Sequence, residues 1–282
     1  MSRPRTEDNA EVDEALATCR EDLKRRFPLP EPAPARKPRT RGKAVSLVLL
    51  ALVAGVAWKN PAYRNEHFVT LIGQRQSVQL ADGSRIKLDG GSEVRVSWHL
   101  LSRQVVLVRG QALFDVSPML YRPFLVDAGN ANIRVVGTRF NVNKYADDVR
   151  VSVAQGKVEV KGRALDRTSQ LQAGQQLLVH HGIPDEVVAG IAEDATAWQK
   201  SRWVFAGTPL EEVVAALQRY YAQPIELIGP EVGRLPVSGV FNTDQAETLL
   251  ALLPDILPVT LTTEGATVRI HSRGAKNNSP TR

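Results

Sequence analysis

Residues Ala44–Trp58, AVSLVLLALVAGVAW, carry no charge and divide the chain into a short basic head and a long strand-rich body. Five of the eight residues before this run, 36–43, are basic and none is acidic. A helix of this length reaches ~22 Å, short of the ~30 Å hydrocarbon layer. Snorkelling by Lys43 and Lys59, with Trp58 at the headgroups, would close the difference. The run therefore predicts one transmembrane helix, 44–58, with the N-terminus in the cytoplasm because the basic flank stays inside.

Two other interpretations of this run are open. A buried core helix would usually show a polar face, and no position in the run is more polar than Ser46. A cleaved signal peptide is favoured by the small residues Gly55 and Ala57, but a polar head of more than forty residues is far longer than an ordinary n-region. Single-pass anchoring fits the pattern best.

Composition limits the class of protein. The 282 residues, 43% hydrophobic and 23% charged, are typical of a globular chain with two domains. The sequence pI is near 9.6, but the tight basic cluster lies against the apolar run, where topology and anionic lipid explain it. We therefore expect no nucleic-acid partner. The single cysteine, Cys19, lies in the head, so the body holds no disulfide, which fits a bacterial periplasmic domain.

The cytoplasmic head, residues 1–43, contains a predicted amphipathic helix at Glu11–Phe27, with acidic residues early and basic residues late. Four apolar residues recur on it near helical spacing: Val12, Leu16, Leu23 and Phe27. A lone helix of this length is marginal in water, so the stripe implies a partner. A fraying surface helix that binds nothing is the alternative. Residues 28–43 form a proline-rich, basic spacer that is expected to stay extended.

The body begins with a predicted all-β domain at 66–182. Short alternating segments are separated by turn sequences such as Asp82-Gly83 and Asp89-Gly90-Gly91. Eleven strands are predicted, at 76–80, 84–88, 94–98, 104–108, 112–116, 124–128, 132–136, 139–143, 150–154, 157–161 and 175–180. Their near-regular spacing predicts a β-sandwich or a short solenoid-like stack.

A second, α+β domain is predicted at 202–272, after a helical or irregular connector at 183–201. Its elements are strands at 202–205, 225–228 and 236–241, helices at 209–221 and 244–253, and a hairpin at 259–270. The order β-α-β, β-α-β-β predicts a compact module with two helices on one sheet face. Residues 273–282 are predicted to be a disordered tail. The fold class is therefore mainly β, with one N-terminal transmembrane helix.

The sequence contains no strong catalytic motif: GxSxG, HExxH, the P-loop and the dinucleotide glycine pattern are all missing. We therefore expect neither an enzyme nor a cofactor. His180 and His181 are adjacent, but neighbouring strand residues point to opposite faces, so we expect no metal site there. Gly137-Thr138 places a hydroxyl beside a flexible glycine, and attack on the preceding carbonyl would exchange the amide for an ester. A glycine at a bend between strands is the alternative.

Five motifs, in order, resemble the signature of the FecR family: LADGSRIKL at 80–88, VRGQALFDV at 108–116, VGTRFNV at 136–142, VSVAQGKVEV at 151–160 and LQAGQ at 171–175. Trp203-Val-Phe205, Pro209-Leu210 and Arg219-Tyr220-Tyr221 continue the match. The C-terminal module also resembles the short signalling domain of secretins and TonB-dependent receptors.

The resemblance implies an inner-membrane regulator of an extracytoplasmic-function (ECF) sigma factor in iron-siderophore uptake. In this family a siderophore-loaded TonB-dependent outer-membrane receptor offers its signalling domain to the regulator's C-terminal region, and the cytoplasmic head then frees or activates the sigma factor. The resemblance also implies single-turnover self-cleavage at Gly137-Thr138, with the halves remaining paired through shared sheets, before an intramembrane cut releases the head.

The resemblance also suggests two sets of partner-binding residues. The expected sigma-binding residues are Val12, Leu16, Leu23 and Phe27. The expected receptor-binding residues are Leu217, Tyr220, Tyr221 and Phe241, with edge-strand pairing near 259–270 as a second mode. One departure is that the head has no tryptophan and is shorter than usual in the family. A membrane-anchored periplasmic binding or envelope-assembly protein without a sigma-factor role is the alternative function.

Overall fold

The computed structural model describes residues 8–28, 46, 50–51, 55, 58–165, 167–190 and 192–274. The chain divides into two compact units, Met1–Val53 and Ala54–Arg282. In the first unit, helix α1 (Asp8–Arg26) matches the predicted head helix within a few residues. Of the predicted membrane segment 44–58, the described residues are Ser46, Leu50, Ala51, Gly55 and Trp58, all helical, and the rest lies outside the described part of the chain.

Within the described residues, no helix combines the length and the apolar character that a membrane span requires. The predicted spacer at 28–43 lies outside the described residues except for Pro28. Most of the predicted tail, from residue 275 onward, lies outside them as well.

The second unit begins with a β domain built from one 14-stranded sheet that is nearly closed and barrel-like. Its strands are β1 (Ala62–Val69), β2 (Gln76–Gln79), β3 (Arg85–Leu88), β4 (Glu93–His99), β5 (Arg103–Asp115), β6 (Phe124–Asp127), β7 (Ala131–Val135), β8 (Arg139–Tyr145), β9 (Asp148–Gln155), β10 (Lys157–Gly162), β11 (Thr168–Gln172), β12 (Gln175–His180), β13 (Ile183–Pro184) and β14 (Val188–Ala189).

Strand β5 joins the two halves of this sheet. Its residues 103–109 pair with β4, whereas its residues 110–115 pair with β8. The sequence predicted two strands here, at 104–108 and 112–116, and that division was wrong: the chain bends at Gly110, where φ is 85°, without leaving the ladder. The main path runs β11-β10-β7-β6-β5-β8-β9-β12-β13. The sandwich or solenoid-like stack is therefore replaced by a single curved sheet.

The core of the β domain is filled by the apolar residues of strands in which apolar and polar residues alternate. Strand β7 shows strict alternation, with Ala131, Ile133 and Val135 buried, and β10 does the same with Val158 and Val160. Phe114 stacks on Phe140 with ring centroids 5.1 Å apart. Burial of such side chains stabilises the fold by about 1.5–3 kcal/mol each. The mainly β character predicted for this region is confirmed.

The C-terminal module follows a connector that contains a short helix α2 (Ala192–Ala195) and a 3₁₀ turn at Ala197–Lys200. Its elements are β15 (Arg202–Pro209), α3 (Leu210–Gln218), β16 (Ile225–Ile228), α4 (Pro230–Gly233), β17 (Pro236–Asn242), α5 (Ala246–Ile256), β18 (Val259–Glu264) and β19 (Thr267–Ser272). The predicted single sheet was wrong. Strand β17 pairs with β15, whereas β16, β19 and β18 form a separate three-stranded sheet.

The module has its own core, distinct from that of the β domain. Helix α3 contributes Leu210, Val213 and Leu217, which are fully buried, and α5 contributes Leu249 and Leu253. Two separate cores explain why the sequence changes pattern near residue 202.

Candidate functional site

The β domain and the C-terminal module meet at a polar interface built mostly from one face of β5, β8 and β9. Gln111, Asn143 and Arg150 lie directly opposite one another on these three strands. Because side chains alternate along a strand, this row faces away from the apolar core formed by Ala112, Val142 and Val151. We call the row, together with Asp89 and the module residues Glu212, Arg219 and Tyr220, the interdomain interface.

Arg219, directly after α3, is the centre of this interface. Its side chain is 5% exposed. Nη1 donates to Oε1 of Gln111 at 2.6 Å and lies 3.5 Å from Oδ2 of Asp89, and Nη2 donates to Oδ1 of Asn143. Burial lowers the pKa of Arg219 below its ordinary value, and the charges of Asp89 and Glu212 oppose that shift. An arginine remains charged even so, and its planar fork fixes the relative orientation of the partners it bonds.

Glu212, on the first turn of α3, forms the second contact. Its carboxylate accepts two bonds from Nε of Arg150 at 3.0 Å, one from Nη2 of Arg150 at 2.7 Å and one from Nδ2 of Asn143 at 3.0 Å. Burial of Arg150 acts to lower its pKa, but the charge and hydrogen bonds of Glu212 raise it overall. Burial, together with the charge of Glu212, raises the pKa of the neighbouring Tyr145, which stays protonated.

Tyr220 and Gly90 form the third contact. The hydroxyl of Tyr220 donates to Oδ1 of Asp89 at 2.5 Å, and burial raises the pKa of Tyr220. The backbone N–H of Gly73 donates to the carbonyl of Arg219 at 2.7 Å. A Cβ on Gly90 would lie 2.5 Å from that same carbonyl oxygen, so only glycine permits this approach. The turn predicted at Asp89-Gly90-Gly91 therefore also contacts the C-terminal module, through Arg219 and Tyr220.

The connector is packed onto the β domain. Trp198 is 3% exposed and donates from Nε1 to Oδ1 of Asn141 at 3.2 Å. Lys87 donates to Gln199 at 2.8 Å, and Arg75 donates to Ser201 at 2.7 Å. A cleft of about 380 Å³ remains between connector, module and sheet. Its lining mixes polar side chains of the sheet with aromatic ones of the connector and module, among them Asn141, Ser152, Trp198, Trp203 and Phe205.

The predicted receptor-binding residues do not share one surface. Leu217 is fully buried in the module core, and Tyr220 is bonded within the interdomain interface. Tyr221 and Phe241 are partly buried at the edge of the same core. In this arrangement Leu217 does not present its side chain to a second protein, and a receptor-binding role for the four residues stays a prediction.

Gly137 and Thr138 lie between β7 and β8, in contact with residues 116–118 and with Lys157. The N–H of Val116 donates to the Thr138 carbonyl at 3.0 Å, and Oγ1 of Thr138 donates to the Lys157 carbonyl at 2.8 Å. A Cβ on Gly137 would lie 2.7 Å from Cα of Pro118, so close packing alone requires glycine there. Thr138 is 5% exposed. Self-cleavage at this bond stays a prediction.

The predicted sigma-binding residues, three in α1 and Phe27 directly after it, are all solvent-exposed. The exposed fractions are 56% for Val12, 60% for Leu16, 57% for Leu23 and 73% for Phe27. Four large apolar side chains with this exposure form a stripe that water disfavours.

The interface residues could not be identified from the sequence because their pattern fits a solvated strand face equally well. Asn141, Asn143, Arg150 and Ser152 alternate with buried valines and phenylalanine, as on any strand with one solvated face. The connector covers Asn141 through Trp198, and the docked module covers Asn143 and Arg150 through Glu212. The one signal in the sequence was the Arg219-Tyr220-Tyr221 motif, which continues the family resemblance.

Comparisons with known proteins agree with this architecture. Residues 66–159 match the family model described as FecR protein, and residues 202–270 match the model described as FecR, C-terminal. The comparison with curated proteins gave no match.

The chain is similar to two crystal structures of a proposed anti-sigma factor from Parabacteroides distasonis ATCC 8503. The 2.50 Å structure shares 26% identity at a TM-score of 0.65, covering 74% of this chain and 99% of that one. The 1.65 Å structure shares 25% identity at the same TM-score, covering 73% and 99%.

Proposed function

We propose that this chain, which belongs to the FecR family, is a single-pass inner-membrane signal transducer that regulates an ECF sigma factor in response to a TonB-dependent outer-membrane receptor. Its structural neighbours, two structures of a proposed anti-sigma factor, support the regulatory part of the proposal. The basic flank and apolar run at 36–58 support the topology, with the body in the periplasm.

The interdomain interface is the observation that carries the proposal. A transducer needs the domain that meets the signal to be mechanically joined to the domain nearer the membrane. Here Arg219 and Glu212 connect the C-terminal module to β5, β8 and β9 through buried, charge-assisted hydrogen bonds. Such bonds are stronger than neutral ones and directional, so a displacement of α3 must move or break them.

The receptor is proposed to bind at the outer edge of β18. Within the described residues, β18 pairs only with β19 and leaves its other edge unpaired. An unpaired edge can accept a strand from another protein through backbone hydrogen bonds. Binding there would load the sheet β16-β19-β18, which packs with α3 and α5 in one core, and so would reach the interdomain interface through α3.

On the cytoplasmic side, α1 and the residue that follows it are proposed to bind the sigma factor through Val12, Leu16, Leu23 and Phe27. Their exposure in the described structure supports a binding role because burying this stripe against a partner would remove it from water.

We also propose self-cleavage between Gly137 and Thr138. Oγ of Thr138 attacks the Gly137 carbonyl carbon, the C–N bond breaks, the freed amine takes the hydroxyl proton, and water then hydrolyses the ester. The hydroxyl must first leave the Lys157 carbonyl that it now bonds. The two fragments would stay associated, since β7 pairs with β10 and β8 pairs with β5 across the break.

The decisive experiment mixes the purified full-length chain with the signalling domain of a TonB-dependent receptor from the same organism. Hydrogen exchange should show new protection of the amides at 259–264. Lack of complex formation would overturn the receptor part of the proposal. Deleting Ser2–Phe27 separates the functions: a regulator loses sigma-factor control, whereas a pure envelope anchor keeps full activity.

A further inference from the structure

A cluster of metal-ligating side chains lies where β9 begins and β12 ends, and none of its members belongs to the interdomain interface defined above. It contains Asp148, His180 and His181. One ligand atom from each of the three lies within 4.8 Å of the others. The sequence predicted no metal site here on the premise that both histidines lie on one strand and point to opposite faces, but β12 ends at His180 and His181 lies beyond it.

Backbone geometry explains the difference. Strand β12 ends at His180, and His181 lies in the following turn with φ at 46°, in the left-handed region. The turn brings the two imidazole rings together, with centroids 4.3 Å apart. Strand β9 pairs with β12 through Val149 and Val179, so the turn before β9 lies beside the turn after β12. The sheet register thereby brings Asp148 to the two histidines.

Asp148 is a fixed anchor. Its side chain is 8% exposed, whereas those of His180 and His181 are 54% and 63% exposed. Oδ2 of Asp148 lies 2.8 Å from Nδ1 of His180, and Oδ1 accepts the backbone N–H of His181 at 3.1 Å. A second carboxylate, that of Asp147, lies 3.9 Å from Nδ1 of His181. A buried carboxylate beside exposed imidazoles, with a further acidic group nearby, favours a cation.

We propose that Asp148, His180 and His181 form a binding site for a divalent transition-metal ion of the zinc type. Two imidazoles and one carboxylate are a donor set that Zn²⁺ uses with a water in the fourth position, and the imidazoles disfavour Ca²⁺ and Mg²⁺. Metal–ligand bonds of about 2.0–2.2 Å need donors closer than 4.8 Å, so the exposed rings must turn inward onto Asp148. The ion takes the place of the hydrogen bond between Asp148 and His180, and links the start of β9 to the end of β12.

The test is calorimetric titration of Zn²⁺ into the untagged, EDTA-stripped full-length chain. We expect one ion per chain with micromolar or tighter affinity, and a higher melting temperature in the presence of Zn²⁺ because the ion binds only the folded site. His180→Ala and His181→Ala should each weaken binding by about tenfold or more. Since both rings are exposed, these variants should fold normally.

A matched control is the pair His67→Ala and His271→Ala, which removes histidines elsewhere in the body and should leave Zn²⁺ binding unchanged. Asp148→Asn should weaken binding further, and Co²⁺ absorption reports the ligand set directly. The proposal is overturned if the chain fails to bind Zn²⁺, if the double variant at 180 and 181 binds it as well as the wild type, or if Ca²⁺ competes equally. Tighter binding of Cu²⁺ than of Zn²⁺ supports the site, provided that the double variant loses both ions.

Discussion

Arg150 and Glu212 form a bidentate ion pair across the interdomain interface. Nη2 of Arg150 lies 2.7 Å from Oε2 of Glu212, and Nε of Arg150 lies 3.0 Å from both carboxylate oxygens. The pair joins strand β9 of the β domain to helix α3 of the C-terminal module. Their side chains are 21% and 8% exposed. Planar guanidinium and planar carboxylate fix orientation as well as distance, so this contact sets the angle at which the module docks.

Replacing Glu212 should loosen the docked module. Glu212→Gln keeps the size but removes the charge, so Arg150 and the buried Arg219 lose a counter-charge. We expect the free energy of unfolding to fall by about 3 kcal/mol, as for one partner of a buried pair. Urea unfolding followed by tryptophan fluorescence measures the change. Glu211→Gln is the matched control because Glu211 is the exposed neighbour on the same helix, and an equal loss in both variants would contradict the role of Glu212.

Gly90→Ala should separate the module from the β domain by steric conflict. The added Cβ would lie 2.5 Å from the Arg219 carbonyl oxygen and 3.0 Å from the Gly73 nitrogen, and both are backbone atoms that cannot turn away. We expect faster protease cleavage in the connector at 183–201 and a lower melting temperature. Gly274→Ala, where the new Cβ meets nothing within 4 Å, should behave as the wild type. Unchanged proteolysis of Gly90→Ala would show that the module docks otherwise.

Self-cleavage at Gly137-Thr138 has a simple readout on a denaturing gel. The wild type should give two fragments that co-purify under native conditions. Thr138→Ala removes the nucleophile and should run as one full-length band, whereas Thr138→Ser restores a hydroxyl and should be cleaved. A single full-length band from the wild type would rule out the reaction.

The stripe on α1 should control sigma-factor binding without affecting the body. Leu16→Asp places a charge in the apolar stripe, and we expect at least about a tenfold loss of affinity for the sigma factor, measured by co-purification and titration. Ala17→Asp introduces the same charge one position away, off the stripe, and should retain binding. If both variants bind equally well, the sigma factor contacts another part of the head.

The acid stability of the β domain should depend in part on Glu93. The hydrogen bond with His67, on β1, is the largest cause that lowers the pKa of Glu93 below its ordinary value of 4.5, and Arg95 and Arg109 act in the same direction against burial. Because the folded-state pKa is the lower one, the stabilisation is complete above pH 4.5 and is lost as the pH falls through the folded-state pKa.

In Glu93→Gln, the free energy of unfolding should therefore fall less steeply as the pH is lowered, because this position no longer titrates. Urea unfolding at a series of pH values between about 3 and 7 measures it. Glu159→Gln, at an exposed strand position, is the control. An unchanged acid slope in Glu93→Gln would mean that other carboxylates carry the effect.

The sequence by itself determined the mainly β character of the body and the positions of its most regular elements. Period-two alternation on β7 and β10 and helical spacing on α3 depend on local geometry, so they can be read without neighbours. The family resemblance rested on ordered local motifs, such as those around Gly110, Gly137 and Gly156, and the matches to both family models confirmed it.

Only the tertiary structure decided which groups contact the polar faces of the strands. Asn143 and Arg150 alternate with core valines as solvent-facing residues would, and the docked module alone makes them buried partners of Glu212 and Arg219. A left-handed turn at His181 likewise brought two histidines to Asp148. Pairing between segments distant in the sequence depends on register and docking, and these are properties of the whole fold rather than of any local window.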